Sequence, residues 1–348
     1  MTEGIDSSVA AVASVTSAED ERSPAFAAVP PLAWMAGFAG LADLLINRIL
    51  ILLGSDAWSP DALVALGSWG GFARNLSVVS ALVALGFCLV GFSSPKSGLP
   101  FAARGGIAAF GWVLVPIVTL MTFLPRAWTR PELVIVVAAL SHATILLVIL
   151  AGMQPRSSRP LSVALVLTLV ASFSGILSTV VTLVGERTYW QHSDRLANAF
   201  RWSGEIAYLL VPIAIGLAGT LSWRGARGKM TVVLSALAAC GVAAGMALWK
   251  HTVGRDLPDL LYAAVRLDFL PEDDFTLYAI PLGVGAAVTV AAILSKDPVR
   301  RQMGAALLAL LSAGYAPRTP STLLLTVLGA ALLARAGIAE AKRRSSSR

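Results

Sequence analysis

Asp43 is an acid near the centre of the first long apolar stretch of the chain. The stretch reads Leu41-Ala42-Asp43-Leu44-Leu45-Ile46-Asn47-Arg48. An ionisable group inside a bilayer costs several kcal/mol unless it is paired or faces a polar cavity. On a helix, Asn47 lies one turn from Asp43 on the same face, and Arg48 is close enough to help neutralise the carboxylate. The cluster is therefore either a proton- or ion-linked site in a polar cavity or an interhelical lock.

His142 lies close to the middle of the fourth apolar block, between Ser141 and Thr144. A mid-membrane imidazole can relay protons, because its ordinary pKa lies near neutrality. It can equally donate one hydrogen bond across a helix interface and have a purely structural role. Both interpretations stay open from the sequence.

A third candidate region precedes the sixth apolar block. Residues 186–195 are dense in aromatic and polar side chains, among them Tyr189 and His192, and Glu205 opens the block that follows. These residues predict either a binding vestibule on the outer face or an interfacial turn with an aromatic anchor. Glu205 is equally explained by its place near a helix N-terminus, where the helix dipole favours negative charge.

The composition indicates that these residues are positioned by membrane helices. Hydrophobic residues make up 56% of the 348 positions and charged residues 14%, and the mean hydropathy is +0.75. Soluble domains carry about 25% charged residues, and blocks of about 20 apolar residues match a bilayer core of ~30 Å. We therefore predict an all-α bundle of about ten spans, at residues 31–53, 73–93, 105–124, 132–152, 161–184, 203–222, 230–249, 275–295, 303–316 and 320–338.

The final pair of spans allows two arrangements. Residues 303–316 are short for a full crossing, and the sequence Ala316-Pro317-Arg318-Thr319-Pro320 breaks the helix. Two short tilted spans and one re-entrant hairpin over 303–338 both fit this pattern.

Charge density predicts the orientation. The loops at 94–104, 153–160, 223–229 and 296–302 hold ten basic residues against one acid. The opposite loops, at 54–72, 125–131, 185–202 and 250–274, are longer and carry most of the acids. Short basic loops mark the cytoplasm, so we expect a multi-pass protein of the cell (inner) membrane with both termini inside. The domains are then a disordered tail at 1–29 without signal-peptide features, a transmembrane domain at 30–338 and a basic tail at 339–348.

One outer loop is predicted to contain a short helix of its own. Asp256-Leu257-Pro258 resembles a helix cap with proline in the first turn, and apolar residues then recur at helical spacing as far as Pro271. This pattern predicts an amphipathic helix lying along the outer interface.

Several chemistries are absent from the sequence. The two cysteines, Cys88 and Cys240, form no CxxC pair, and no P-loop and no HExxH motif occur. Three histidines cannot supply the paired axial ligands of a membrane cytochrome b. We therefore predict no catalytic residues, no metal and no cofactor. The net charge of +7 comes from basic residues that lie between the apolar blocks. In this position they set the orientation in the membrane, so we do not expect nucleic acid as a partner.

Three functional classes remain open. The first is a secondary transporter or channel-like protein for a small solute or ion, using Asp43, Asn47, Arg48 and His142. The second is a non-catalytic scaffold subunit of a membrane complex, using the same groups as interhelical locks. The third is an intramembrane transferase for a lipid-linked substrate, with its site near Tyr189, His192 and Glu205. The expected partners are the lipid bilayer and other membrane subunits or further copies of the chain.

Overall fold

The computed structural model describes residues 24–44, 46, 59–97, 99–123, 131–154, 157–222, 233–241, 276–313 and 320–346. No strand occurs in this part of the chain, so the all-α prediction is confirmed there. Residues 233–241 are also helical, and a short 3-10 helix covers Pro95–Ser97. The main helices are α1 (Pro24–Leu44), α2 (Pro60–Ser93), α3 (Phe101–Phe123), α4 (Pro131–Gly152), α5 (Arg159–Thr188), α6 (Ser193–Ser222), α7 (Thr276–Ile293), α8 (Pro298–Ser312) and α9 (Pro320–Ser346).

Five of the described helices are long and apolar enough to cross a membrane. They coincide with the predicted spans 73–93, 105–124, 132–152, 161–184 and 320–338. The count of about ten spans stays a prediction, and the amphipathic helix predicted after Asp256 lies outside the described residues.

The predicted outer loop at 54–72 is wrong from residue 60 onwards, because α2 begins at Pro60. The Ser59 side chain accepts a hydrogen bond from the Ala62 N–H at 3.3 Å, which satisfies one of the free donors of the first turn. Pro60 occupies the first helical position, and Asp61 places an acid in the first turn. Both residues favour a helix start. With its 34 residues, α2 is about 50 Å long.

The predicted loop at 185–202 is also mostly helical. α5 continues to Thr188 and α6 begins at Ser193, which leaves only a tight turn between them. The Trp190 N–H donates to the Gly185 carbonyl at 3.3 Å, and the Ser193 N–H donates to the Trp190 carbonyl at 3.1 Å. α5 and α6 therefore form a continuous antiparallel hairpin.

α9 is the central helix of the described bundle. It packs against α2, α4 and α8, and more lightly against α1, α3 and α5. All of its residues between Leu323 and Gly337 are buried. Gly329 and Gly337 let neighbouring helices approach closely, since a Cβ added there would lie 2.7 Å from Leu310 and 2.6 Å from the Gly152 carbonyl oxygen, respectively.

Contacts between helix ends bring the basic loops before α5 and α8 together with the end of α9 at one end of the bundle. Arg343 of α9 donates to Asp297 before α8 at 2.8 Å. Glu340 of α9 accepts two hydrogen bonds from Ser158 before α5, at 3.1 and 2.8 Å. We call this end the C-terminal end. The turn between α5 and α6 lies at the opposite end, because α5 starts at the C-terminal end and runs away from it.

Candidate functional site

Asp43 is paired with a residue that the sequence reasoning missed. Arg74 of α2 reaches both carboxylate oxygens, with its Nε 3.4 Å from Oδ2 and an Nη 3.4 Å from Oδ1. The Asp43 side chain is 16% exposed and that of Arg74 is 49% exposed. The expectation that Asp43 has a partner is therefore confirmed, and a neighbouring helix provides it. Asn47 and Arg48, the partners expected on the same helix, lie outside the described residues.

The Asp43–Arg74 pair continues a row of polar contacts that hold α1 in register. Ser77 of α2 donates to the Ala36 carbonyl at 2.9 Å, and Ser312 of α8 donates to the Gly37 carbonyl at 2.7 Å. Both hydroxyls are buried, and such bonds between helices fix their relative position in apolar surroundings. Asp43 lies in the last turn of described α1, at the end of this row. The geometry favours the interhelical lock at this position.

A double-mutant cycle measures how much the pair contributes. We expect Asp43→Asn and Arg74→Gln each to destabilise the protein, with a coupling free energy of about 1 kcal/mol because Arg74 is half exposed. The measurement is the free energy of unfolding of the purified protein in mild detergent. Arg195→Gln, which removes an exposed cation from α6, is the control and should show no coupling to Asp43→Asn. A zero coupling for Asp43 and Arg74 would contradict the lock.

His142 lies in the middle of α4 and is only 7% exposed. Its ring rests on Gly175 of α5: a Cβ added to this glycine would lie 2.5 Å from Nε2 and 2.8 Å from Nδ1. Only glycine leaves room for the imidazole here. Nδ1 is buried and has no hydrogen-bond partner among the described residues.

The hydroxyl groups near His142 do not bond to it. Ser141 and Thr144 each donate to a carbonyl of α4 itself, at 2.7 Å, and Thr179 of α5 donates to the Gly175 carbonyl at 2.8 Å. The interhelical hydrogen bond that a structural role would need is therefore missing at Nδ1. A buried polar atom without a partner costs about 1–3 kcal/mol, so its presence needs an explanation, and a functional role is one.

The two intramembrane candidates are held apart. His142 is ten residues from the end of α4 at Gly152, which corresponds to about 15 Å, or half the hydrocarbon thickness. α4 packs against α3, α5 and α9, whereas α1, which carries Asp43, packs against α2, α8 and α9. The central helix thus separates them, and each must be tested by itself.

The predicted outer vestibule residues lie at a surface turn. Tyr189 is 91% exposed, and His192, in the same turn, is also exposed. Glu205 lies on α6, about 20 Å further along the chain, and its side chain is outside the described part of the structure. The structure brings Tyr189 and His192 together in one turn but places neither of them in the bundle interior.

Tyr189 adopts a strained backbone conformation with a φ of 51°. This left-handed region is usual at the C-terminus of a helix but favours glycine, because a Cβ crowds the backbone there. We expect Tyr189→Gly to raise the free energy of unfolding by about 1 kcal/mol. Thermal unfolding in detergent measures this. A fall in stability would show that the ring makes contacts that outweigh the backbone strain.

Arg335 is a buried cation that the sequence reasoning also missed. It lies on α9 with 9% exposure, and one Nη is 3.4 Å from the Sγ of Cys88 on α2. It is the only ionisable residue of the predicted span 320–338, so the reasoning applied to Asp43 would have identified it. Cys88 itself is fully buried, which is common for a free cysteine.

Within the described residues, no three His, Cys, Asp or Glu side chains form a group that could hold a metal ion. Among the buried side-chain atoms without a hydrogen-bond partner in this part of the chain, His142 Nδ1 is the one that belongs to an imidazole. The chain matches no family model, and comparison with curated proteins and with solved structures likewise gave no match.

Proposed function

We propose that this chain is a secondary transporter or channel-like protein for a small solute or ion, and that His142 supplies its intramembrane polar site. The observation that supports the proposal most is the buried Nδ1 of His142, which has no partner among the described residues. An imidazole in this state can exchange hydrogen bonds with a solute that passes between α4 and α5. The Asp43–Arg74 pair then stabilises the bundle.

We also propose the finer topology of about ten spans in the cell (inner) membrane, with both termini in the cytoplasm. Charge density supports the orientation. The loops at 153–160 and 296–302 lie at the same end of the bundle as the end of α9. This arrangement is consistent with an even number of crossings between each of these loops and the C-terminus. α8 has only 15 residues, but it runs beside α1 as far as Gly37 and Gly40. This reach favours two crossings over a re-entrant hairpin for residues 303–338.

Cysteine labelling tests the orientation. Cys88 is buried and Cys240 exposed, so Cys240→Ala provides a background with little labelling. In it, we expect Thr188→Cys to react with a membrane-impermeant maleimide on intact cells, and Ser345→Cys to react only after lysis. Both positions are exposed. The reverse pattern would overturn the orientation. Labelling of both positions on intact cells would exclude an odd number of crossings between Thr188 and Ser345, which the ten-span topology requires.

Flux through purified protein in liposomes tests the transport function. Proton entry is followed with entrapped pyranine under a potassium–valinomycin potential, and swelling is followed in gradients of urea, glycerol and potassium salts. We expect at least one of these probes to enter several times faster than in protein-free liposomes. Rates equal to those of protein-free liposomes for every probe would remove this class of small solutes and ions from the proposal.

A scaffold subunit is the second candidate, and the polar row on α1 favours it. Ser77, Ser312 and Arg74 all act between helices, as a rigid structural subunit requires. Such a subunit would co-purify with another membrane protein in fixed stoichiometry and show no flux. The transferase interpretation stays a prediction, and the exposure of Tyr189 and His192 gives it no support.

A further inference from the structure

A second surface with a distinct chemistry lies at the C-terminal end of the bundle. Six basic residues meet there, and we call them the basic patch: Lys296, Arg300 and Arg301 at the start of α8, and Lys342, Arg343 and Arg344 at the end of α9. Asp297 joins the two groups, since it pairs with Arg343 at 2.8 Å and with Arg300 at 3.8 Å. The patch is thus one continuous surface built from two helices.

The basic patch keeps a positive charge after its internal pairs are counted. Asp297 and Glu340 are the two acids within it, so six cations and two acids leave four positive charges. Both acids pair with cations of the patch: Asp297 with Arg343 and Arg300, and Glu340 with Arg344 at 3.0 Å.

The cations remain accessible. The side chains of Arg343 and Arg344 are 45% and 52% exposed, and Lys296, Arg301 and Lys342 are exposed as well. Guanidinium groups bind phosphate through two parallel hydrogen bonds, and lysine adds a mobile charge. This composition fits a phosphate-bearing ligand.

The apolar residues beside the patch indicate where that phosphate comes from. Ile293 and Leu294, which immediately precede Lys296, are 41% and 45% exposed. At the same end of the bundle, Leu150 and Met153 of the α4 terminus are 50% and 37% exposed. Large apolar side chains that face outward next to a ring of cations match the boundary between hydrocarbon and headgroups.

We propose that the basic patch binds the headgroup phosphate of an anionic phospholipid in the leaflet that borders the C-terminal end. The exposed apolar side chains contact the acyl chains, and the lysines and arginines contact the phosphate. This binding would hold the start of α8 and the end of α9 at the same leaflet. The proposal is independent of any transport through His142.

Lipid titration of the purified full-length chain in mild detergent tests the proposal. The probes are dioctanoyl phosphatidylglycerol, dioctanoyl phosphatidylcholine and inorganic phosphate, and the readout is the rise in thermal unfolding midpoint, which reports binding to the folded state. The test variant is Lys296→Gln/Lys342→Gln, because neither lysine takes part in an ion pair with another described residue. The control is Arg187→Gln/Arg195→Gln, which removes two exposed cations at the opposite end.

We expect the wild-type protein to prefer phosphatidylglycerol over phosphatidylcholine, and the lysine variant to bind phosphatidylglycerol about tenfold more weakly. Its midpoint without lipid should equal that of the wild type, and the control variant should keep the wild-type affinity. Equal shifts with both lipids, or equal losses in both variants, would overturn the proposal. An equal shift with inorganic phosphate at the same concentration would show a free-anion site instead of a lipid site, which would also overturn it.

Discussion

Gly152→Val should destabilise the protein more than any other substitution considered for this chain. Gly152 ends α4 directly against α9, where a Cβ would lie 2.5 Å from the Ala334 Cα and 2.6 Å from its Cβ. The obstacle is the backbone of the central helix, which cannot rotate away as a side chain can. The valine must therefore push α4 and α9 apart, and we expect a loss of about 3 kcal/mol in the free energy of unfolding.

Gly91→Val is the matched control for Gly152→Val. Gly91 also lies near the C-terminal end of its helix, α2, and a Cβ there would meet nothing within 4 Å. Both substitutions replace a helical glycine by the same side chain, so their difference isolates the contact with α9. Unfolding in detergent is the measurement. Equal stabilities for the two variants would show that α4 and α9 are not in contact at Gly152.

Removal of the His142 imidazole should have the largest effect on function. The ring has no hydrogen bond at Nδ1 to lose. His142→Ala stabilises the protein by removing a polar group whose burial is unfavourable, and destabilises it by leaving a cavity. We therefore expect abundance near that of the wild type. Flux of the probe that the wild-type protein carries should fall to the rate of protein-free liposomes.

Gly175→Ala offers an independent test of the same site, because the added methyl group would overlap the ring and displace it while His142 stays in the chain. We expect reduced flux in this variant as well. Gly241→Ala is its control, since a Cβ there meets nothing among the described atoms within 4 Å. Full flux in Gly175→Ala would contradict a role for the ring position.

Five of the predicted spans coincide with long apolar helices, and they were predictable because a membrane span needs only length and apolar composition. The starts of α2 and α6 were not predicted, because polar and aromatic residues before an apolar block resemble a loop. The cap at Ser59 and Pro60 was a local signal that could have revealed the start of α2. The turn at Tyr189 carried no such signal, since tyrosine rarely adopts a positive φ.

The candidate site was predictable only in part. The cost of a buried charge identified Asp43 correctly as a residue that needs a partner, but Arg74 is 31 residues away in the chain and the pairing depends on how α1 packs against α2. The sequence placed His142 in an apolar block, yet the lack of a bond at Nδ1 is a property of the packed helices. Arg335 was predictable by the same reasoning as Asp43 and was overlooked.

A side-by-side comparison of His142→Ala and Asp43→Asn tests whether His142 carries the function and Asp43 has a structural role. Abundance in the membrane and flux per reconstituted molecule are measured for both variants. We expect normal abundance without flux for His142→Ala, and reduced abundance with wild-type flux per molecule for Asp43→Asn. Wild-type flux in His142→Ala, together with normal abundance and lost flux in Asp43→Asn, would contradict it.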